Sequence, residues 1–217
     1  MRRLRSGLVV LSLLGMTACG SSYAETKDDG ADSGGVAWGN CGSLQCARVR
    51  VPIDYAAPDS GTIQIAINRI SARGAERRGV VLLNPGGPGA PGKAFAAASA
   101  DALRALLPGY DFIGFDPRGV GESAALHCSR DVDLTGLLKS GGVDAMLEGL
   151  RSASQSCAME NGSLFNHIGS NQVVQDIDQI RQALGVEEIN FIGVSYGTRL
   201  GALYAQAFPE HARAVVL

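Results

Sequence analysis

The sequence has no surplus of positive charge: 19 Lys and Arg stand against 21 Asp and Glu, a formal net charge of −2. Three of those arginines, Arg2, Arg3 and Arg5, lie in the first five residues, and without them 16 basic residues face 21 acidic ones. A nucleic-acid binder carries a basic face, so nucleic acid is excluded as a partner. No apolar run reaches the roughly 20 residues that a membrane-spanning helix takes. There is no Cys-x-x-Cys pair, and the three histidines stand at no ligand spacing, so no metal site can be assembled from the pattern. Internal repeats and low-complexity tracts are absent too. What remains is a chain of 217 residues, 46% hydrophobic and 18% charged. That is too apolar for a disordered chain and suits one globular α/β domain.

Residues 1–18 read as a secretory leader: three arginines, an apolar run from Gly7 to Met16, then the small residues Thr17 and Ala18. The ending Met16-Thr17-Ala18-Cys19, followed by Gly20, resembles a bacterial lipobox, with Met16 where Leu is usual. The resemblance implies that Cys19 is the acylated N-terminus of an extracytoplasmic lipoprotein held at the cell membrane. The alternative is an ordinary leader and a secreted protein. Each buried methylene of a lipid chain adds about 0.8 kcal/mol, so a multiply acylated terminus stays on the membrane. Residues 19–37 are small, polar and acidic and read as a flexible tether, with the globular part spanning 38–217. Four further cysteines allow three pairings, and export favours disulfides. Cys41–Cys46 and Cys128–Cys157 are preferred because each pair encloses one local segment.

Arg48 to Ile53 and Thr62 to Ile70 alternate apolar and polar residues around Pro58, Ser60 and Gly61, the pattern of a hairpin. Val80 to Leu83, Phe112 to Phe115 and Ile189 to Val194 are short apolar runs, as in strands buried on both faces of a parallel sheet. Helices are expected over Gly92 to Leu107, Asn171 to Leu184 (Val173, Ile177, Ile180 and Leu184 on one stripe, Gly185 as the stop) and Thr198 to Phe208. Strand–helix alternation after an opening hairpin predicts an α/β fold, a mostly parallel sheet with helices on both faces. Residues 128–168 are less regular and read as a short insertion carrying the second disulfide.

Gly193-Val194-Ser195-Tyr196-Gly197 matches the nucleophile elbow, G-x-S-x-G. A shuffled chain of this composition would hold about 0.3 such matches, so context must decide. The serine follows an apolar strand and precedes a helical run, which would present Ser195 at the carboxyl edge of the sheet. Side chains in place of Gly193 and Gly197 would collide as the helix folds back. Asn84-Pro85-Gly86-Gly87-Pro88-Gly89 closes an earlier strand, and glycines there let backbone amides approach a substrate oxygen, as in an oxyanion loop. The amides of Gly87 and Tyr196 are the candidate donors. A phosphate loop is excluded because no Gly-Lys-Ser/Thr follows. In Asp116-Pro117-Arg118-Gly119-Val120-Gly121-Glu122-Ser123 the Pro-Arg lead-in and the lack of a following helix argue against a dinucleotide loop; Asp116 and Arg118 are expected to brace the loop beside the nucleophile.

NPGGPG, GFDPRGVGES, DIDQIRQALG, GVSYGTRLGALYAQAFPEHARAVVL and WGNCGSLQCARVRVPIDYAAP together resemble the secreted bacterial tripeptidyl-aminopeptidase and prolyl-aminopeptidase-like α/β-hydrolases, over residues 38–217. The resemblance implies a serine peptidase of the α/β-hydrolase fold that trims short N-terminal pieces from peptides through an acyl-enzyme. Ser195 would be the nucleophile, Gly87 and Tyr196 the oxyanion hole, and no cofactor or metal would be needed. Alternatives are a carboxylesterase of the same fold, or a non-catalytic exported binding or relic protein. In this fold the triad runs Ser, Asp or Glu, His. Glu210 and His211 stand in that order, but a helix of about 13 residues, roughly 20 Å long, separates them from Ser195. His127 and His167 precede the serine, with no carboxylate evidently placed to orient either. Ala214-Val215-Val216-Leu217 reads as the middle of a buried strand, and family members are longer. The expectation is an N-terminal part of a hydrolase, incomplete at the C-terminus, lacking the triad Asp and His and nearly inactive alone.

Overall fold

The computed structural model describes residues 35–73, 76–129 and 132–217. The leader, Cys19 and the tether up to residue 34 lie outside the described residues. Val36 and Trp38 both pack against the core.

The opening hairpin is strand β2 (Leu44–Pro52) against β3 (Thr62–Ile70), antiparallel, with Val51 opposite Ile63 and Val49 opposite Ile65. A short strand β1 (Gly39–Cys41), not foreseen, pairs outside β2, and the Cys41–Cys46 disulfide ties the two together. Strand β4 (Gly79–Asn84), helix α1 (Gly92–Leu106) and strand β5 (Tyr110–Phe115) follow. After an inserted segment come α3 (Ser170–Ala183), β6 (Ile189–Gly193), α4 (Tyr196–Ala207) and β7 (Ala212–Val216). The seven strands form one mixed sheet in the order β1-β2-β3-β5-β4-β6-β7. The block β5-β4-β6-β7 is parallel and β3 joins it antiparallel.

The apolar runs follow from burial on both faces. In β4, Val80 and Leu82 join one core with Phe115, Phe191, Ile177 and Leu200, under α3 and α4. Their neighbours Val81 and Leu83 join a second core with Phe112, Ala96 and Ala100, under α1. Side chains alternate across a strand, so a strand covered on both faces must be apolar at every position.

The segment expected to be irregular is largely helical: Leu134–Asn161 (α2), broken at Gly142, then a 3-10 turn over Gly162–His167. Leu134, Leu137 and Leu138, then Val143, Met146, Leu147 and Leu150, stand at helical spacing, but Gly141-Gly142 splits the pattern into two short pieces. The second disulfide, Cys128–Cys157, fastens this helix to the loop before it. No helix among the described residues is long and apolar enough to cross a membrane.

Candidate active site

Strand β6 delivers the nucleophile motif to its carboxyl end, and α4 begins one residue after Ser195. The turn is tight. Gly197 N–H donates to Val194 O at 2.8 Å and Thr198 N–H to Ser195 O at 3.0 Å, so the helix begins bonding before the strand has released the chain. Ser195 is exposed and sits at φ 53°, ψ −120°, a backbone conformation that a residue with a side chain adopts only when its surroundings impose it. Both flanking glycines are sterically required, though by different neighbours. A Cβ on Gly193 would stand 2.3 Å from Gly197 O, within the turn itself. A Cβ on Gly197 would stand 2.3 Å from Asn84 O, on the adjacent strand β4.

That second contact brings the glycine loop onto the elbow. Val194 N–H donates to Asn84 O at 3.0 Å. Gly86 lies so close that a Cβ there would be 2.5 Å from both Tyr196 N and Val194 O. The loop is held by Gly86 N–H donating to Asn84 Oδ1 at 2.9 Å and Ala90 N–H to Gly86 O at 3.1 Å. Gly87 follows at φ 109°. The Tyr196 amide heads α4, where no intrahelical acceptor exists, and neither it nor the Gly87 amide is taken up by the surrounding turns. The Tyr196 amide adjoins the exposed Ser195, and the loop that carries Gly87 packs on the same turn through Gly86; an oxygen that becomes negative during attack is held by donors of this kind. Asn84, Gly86 and Ser170, to which the sequence assigned no role of their own in the site, also contact the elbow. Ser170 Oγ and Tyr196 OH are 2.7 Å apart, fixing the tyrosine ring against the start of α3. A cavity of about 380 Å³ opens here, lined by Asn84, Gly86, Pro88, Tyr196, Ser170 and Leu126 among others.

The loop after β5 is braced by its charged residues. Asp116 Oδ1 accepts from Lys93 N–H at the start of α1, and Oδ2 from Glu122 N–H, each at 3.0 Å. Arg118 is fully buried and spends its donors on Asp176 (2.6 and 2.7 Å) and on the carbonyls of Pro52, Ile53 and His167. Tyr55 OH donates to Asp176 at 2.7 Å; burial, then the Asp176 charge, pushes this phenol far above its usual range, so it remains a donor. Burial also pushes the Asp176 carboxyl up, against the pull of the Arg118 guanidinium.

Among the described residues no histidine hydrogen-bonds to Ser195. His211 lies at the opposite end of β6, where Ile189 N–H donates to its carbonyl at 2.9 Å. His127 is tied through its backbone to Asn161. His167 corrects the sequence reading in one respect: a carboxylate does face it, Asp54 Oδ1 at 3.8 Å from Nδ1. The two are far apart in sequence, so only the fold pairs them.

A nucleophile elbow after a central parallel strand, with a glycine loop packed on it, defines the architecture of an α/β-hydrolase. The model of the alpha/beta hydrolase fold family matches residues 79–217, and the chain belongs to that family. It is 38% identical over 205 residues to the tripeptidyl aminopeptidase of Streptomyces coelicolor, covering 84% of this chain and 37% of that protein. It is 36% identical over 186 residues to serine protease Hip1 of Mycobacterium tuberculosis, covering 81% and 36%. To a Mycobacterium tuberculosis protein named carboxylesterase B it is 40% identical over 186 residues, again covering 81% and 36%. The chain thus spans little more than a third of the length of these relatives.

Proposed function

We propose that the protein is an exported serine hydrolase that releases short pieces from the N-termini of peptides through an acyl-enzyme on Ser195. The observation that carries this reading is Ser195 itself, exposed at positive φ between a strand end and a helix N-terminus, with the Gly86-Gly87 loop against the next peptide. Similarity to relatives named tripeptidyl aminopeptidase and serine protease Hip1 supports a peptide substrate. In the reaction, Ser195 Oγ attacks the scissile carbonyl carbon while a general base takes its proton. The carbonyl oxygen, now negative, accepts hydrogen bonds from the Gly87 and Tyr196 amides. Collapse expels the shortened peptide as an amine, protonated by the same base, and water then releases the acyl group as a carboxylate. None of His127, His167 and His211 is assigned as that base. Lipid on Cys19 would hold the protein outside the cytoplasm, at the membrane.

A second reading, carboxylesterase, is favoured by the similarity to carboxylesterase B. One assay separates the two. The protein expressed from its complete gene is offered a tripeptide p-nitroanilide with a free amine, the N-acetylated analogue, and p-nitrophenyl butyrate, with Ser195→Ala as control. Release from the free-amine anilide alone supports the aminopeptidase; Ser195-dependent turnover of the ester alone replaces it with the esterase. Palmitate labelling that disappears in Cys19→Ala tests the anchor, and an unlabelled protein in the medium would make it secreted.

A further inference from the structure

Asn84 is the last residue of β4, and it contacts both the glycine loop and the elbow. Its carbonyl accepts from Val194 N–H at 3.0 Å, one residue before Ser195. Its side-chain Oδ1 accepts from Gly86 N–H at 2.9 Å, an Asx turn that folds the chain sharply after the strand. Gly197 comes so close that a Cβ there would meet Asn84 O at 2.3 Å and Asn84 Oδ1 at 3.0 Å. Asn84 is 1% exposed, and its Nδ2 is buried with no hydrogen-bond partner. Leaving a buried donor unpaired costs stability, and an aliphatic side chain here would avoid that cost. What the amide contributes lies at its other end, the acceptor that bends the glycine loop.

We infer that Asn84 is a positioning residue: its side chain sets the distance between the Gly87 and Tyr196 amides by holding the Gly86 loop against the elbow. This rests on the assignment of those two amides as the oxyanion donors. Charged groups of the neighbouring loop do not take its place, since Asp116 and Arg118 are committed to Lys93, Glu122, Asp176 and backbone carbonyls.

The test uses the protein from its complete gene with Asn84→Ala, which removes the acceptor, and Asn84→Asp, which keeps it. Hydrogen–deuterium exchange over residues 84–90 should quicken at least tenfold in Asn84→Ala and stay near wild type in Asn84→Asp. With turnover counted per Ser195 labelled by a fluorophosphonate, Asn84→Ala should lower kcat about 10- to 100-fold. That is below the loss of a whole oxyanion donor, about 10²–10³-fold, and KM should stay within about threefold, because the interaction is realised in the transition state. If Asn84→Ala does not fold, Asn84→Leu, close to asparagine in size and without an acceptor, carries the same expectation. Unchanged exchange over 84–90, or wild-type kcat per labelled serine with only a lowered melting temperature, overturns the inference. Should the wild type turn over no substrate, the functional reading fails separately, and the exchange measurement still decides the role of Asn84.

Discussion

Replacing Gly197 by alanine tests the packing of the elbow on β4 most directly. The new Cβ would stand 2.3 Å from Asn84 O, 3.0 Å from Asn84 Oδ1 and 3.1 Å from Asn84 C. Real Cβ contacts stay beyond 3.0 Å, so the elbow must withdraw by at least 0.7 Å, and the obstacle is mostly backbone of a buried central strand. A shift of that size strains the Val194 N–H to Asn84 O bond, now 3.0 Å. Overpacking costs about 1–3 kcal/mol, and a buried backbone bond left unmade about 1–3 kcal/mol more. Together they give about 2–6 kcal/mol, and the roughly 1 kcal/mol by which alanine is the better helix former leaves a net loss of about 1–5 kcal/mol. The Tyr196 amide would move with the elbow, and a misplacement of about 1 Å can cost on the order of 100-fold in rate. Urea unfolding gives the stability, and the rate of Ser195 labelling by a fluorophosphonate gives the reactivity. Gly185→Ala is the control: Gly185 sits at φ +66° with nothing within 4 Å, so only a left-handed backbone is forced there, at about 1–2 kcal/mol. A Gly197→Ala protein no less stable than Gly185→Ala, labelled at the wild-type rate, would refute the close-packed elbow.

Three other outcomes are expected. Arg118→Met leaves the buried Asp176 carboxylate without its guanidinium and should cost about 3–5 kcal/mol. Adding Asp176→Leu should recover part of that loss in urea unfolding, and a double variant no better than the single would refute the buried-pair argument. Burial pushes the Asp178 carboxyl up, but hydrogen bonds from Arg181 and Gln182 outweigh it and hold the group below its usual range. A lowered carboxylate contributes stability above its unfolded pKa of about 3.9 and loses it as pH falls through the folded value. Asp178→Asn should therefore cost most near pH 7, with the gap to wild type narrowing below about pH 4; a gap independent of pH would count against it. Finally, Ser195 at φ 53° stores strain of about 1–3 kcal/mol. Ser195→Gly should unfold at higher urea than Ser195→Ala, by about 1 kcal/mol, and coincident midpoints would show an unstrained elbow.

Much of this protein was legible from local pattern. The hairpin, the doubly buried strands, the helices α1, α3 and α4 and the strand–turn–helix around Ser195 follow from periods of 2 and 3.6 and from glycine placement, which act between near neighbours. The need for Gly193 belongs there too, since its obstacle, Gly197 O, is four residues away. Helix α2 escaped although Val143, Met146, Leu147 and Leu150 stand at helical spacing, because Gly141-Gly142 splits the pattern in two. Other features depended on distant parts of the chain meeting. The placing of β4 between β5 and β6 sets Asn84 against Gly197 and brings the Gly86 loop to the Tyr196 amide. The same folding gives Asp54 to His167 and gathers Tyr55, Arg118 and Asp176 into one buried network. A motif names residues that can do chemistry because their types and spacing are local. How far apart two backbone donors stand is fixed only when separate strands pack side by side, and that is a property of the sheet.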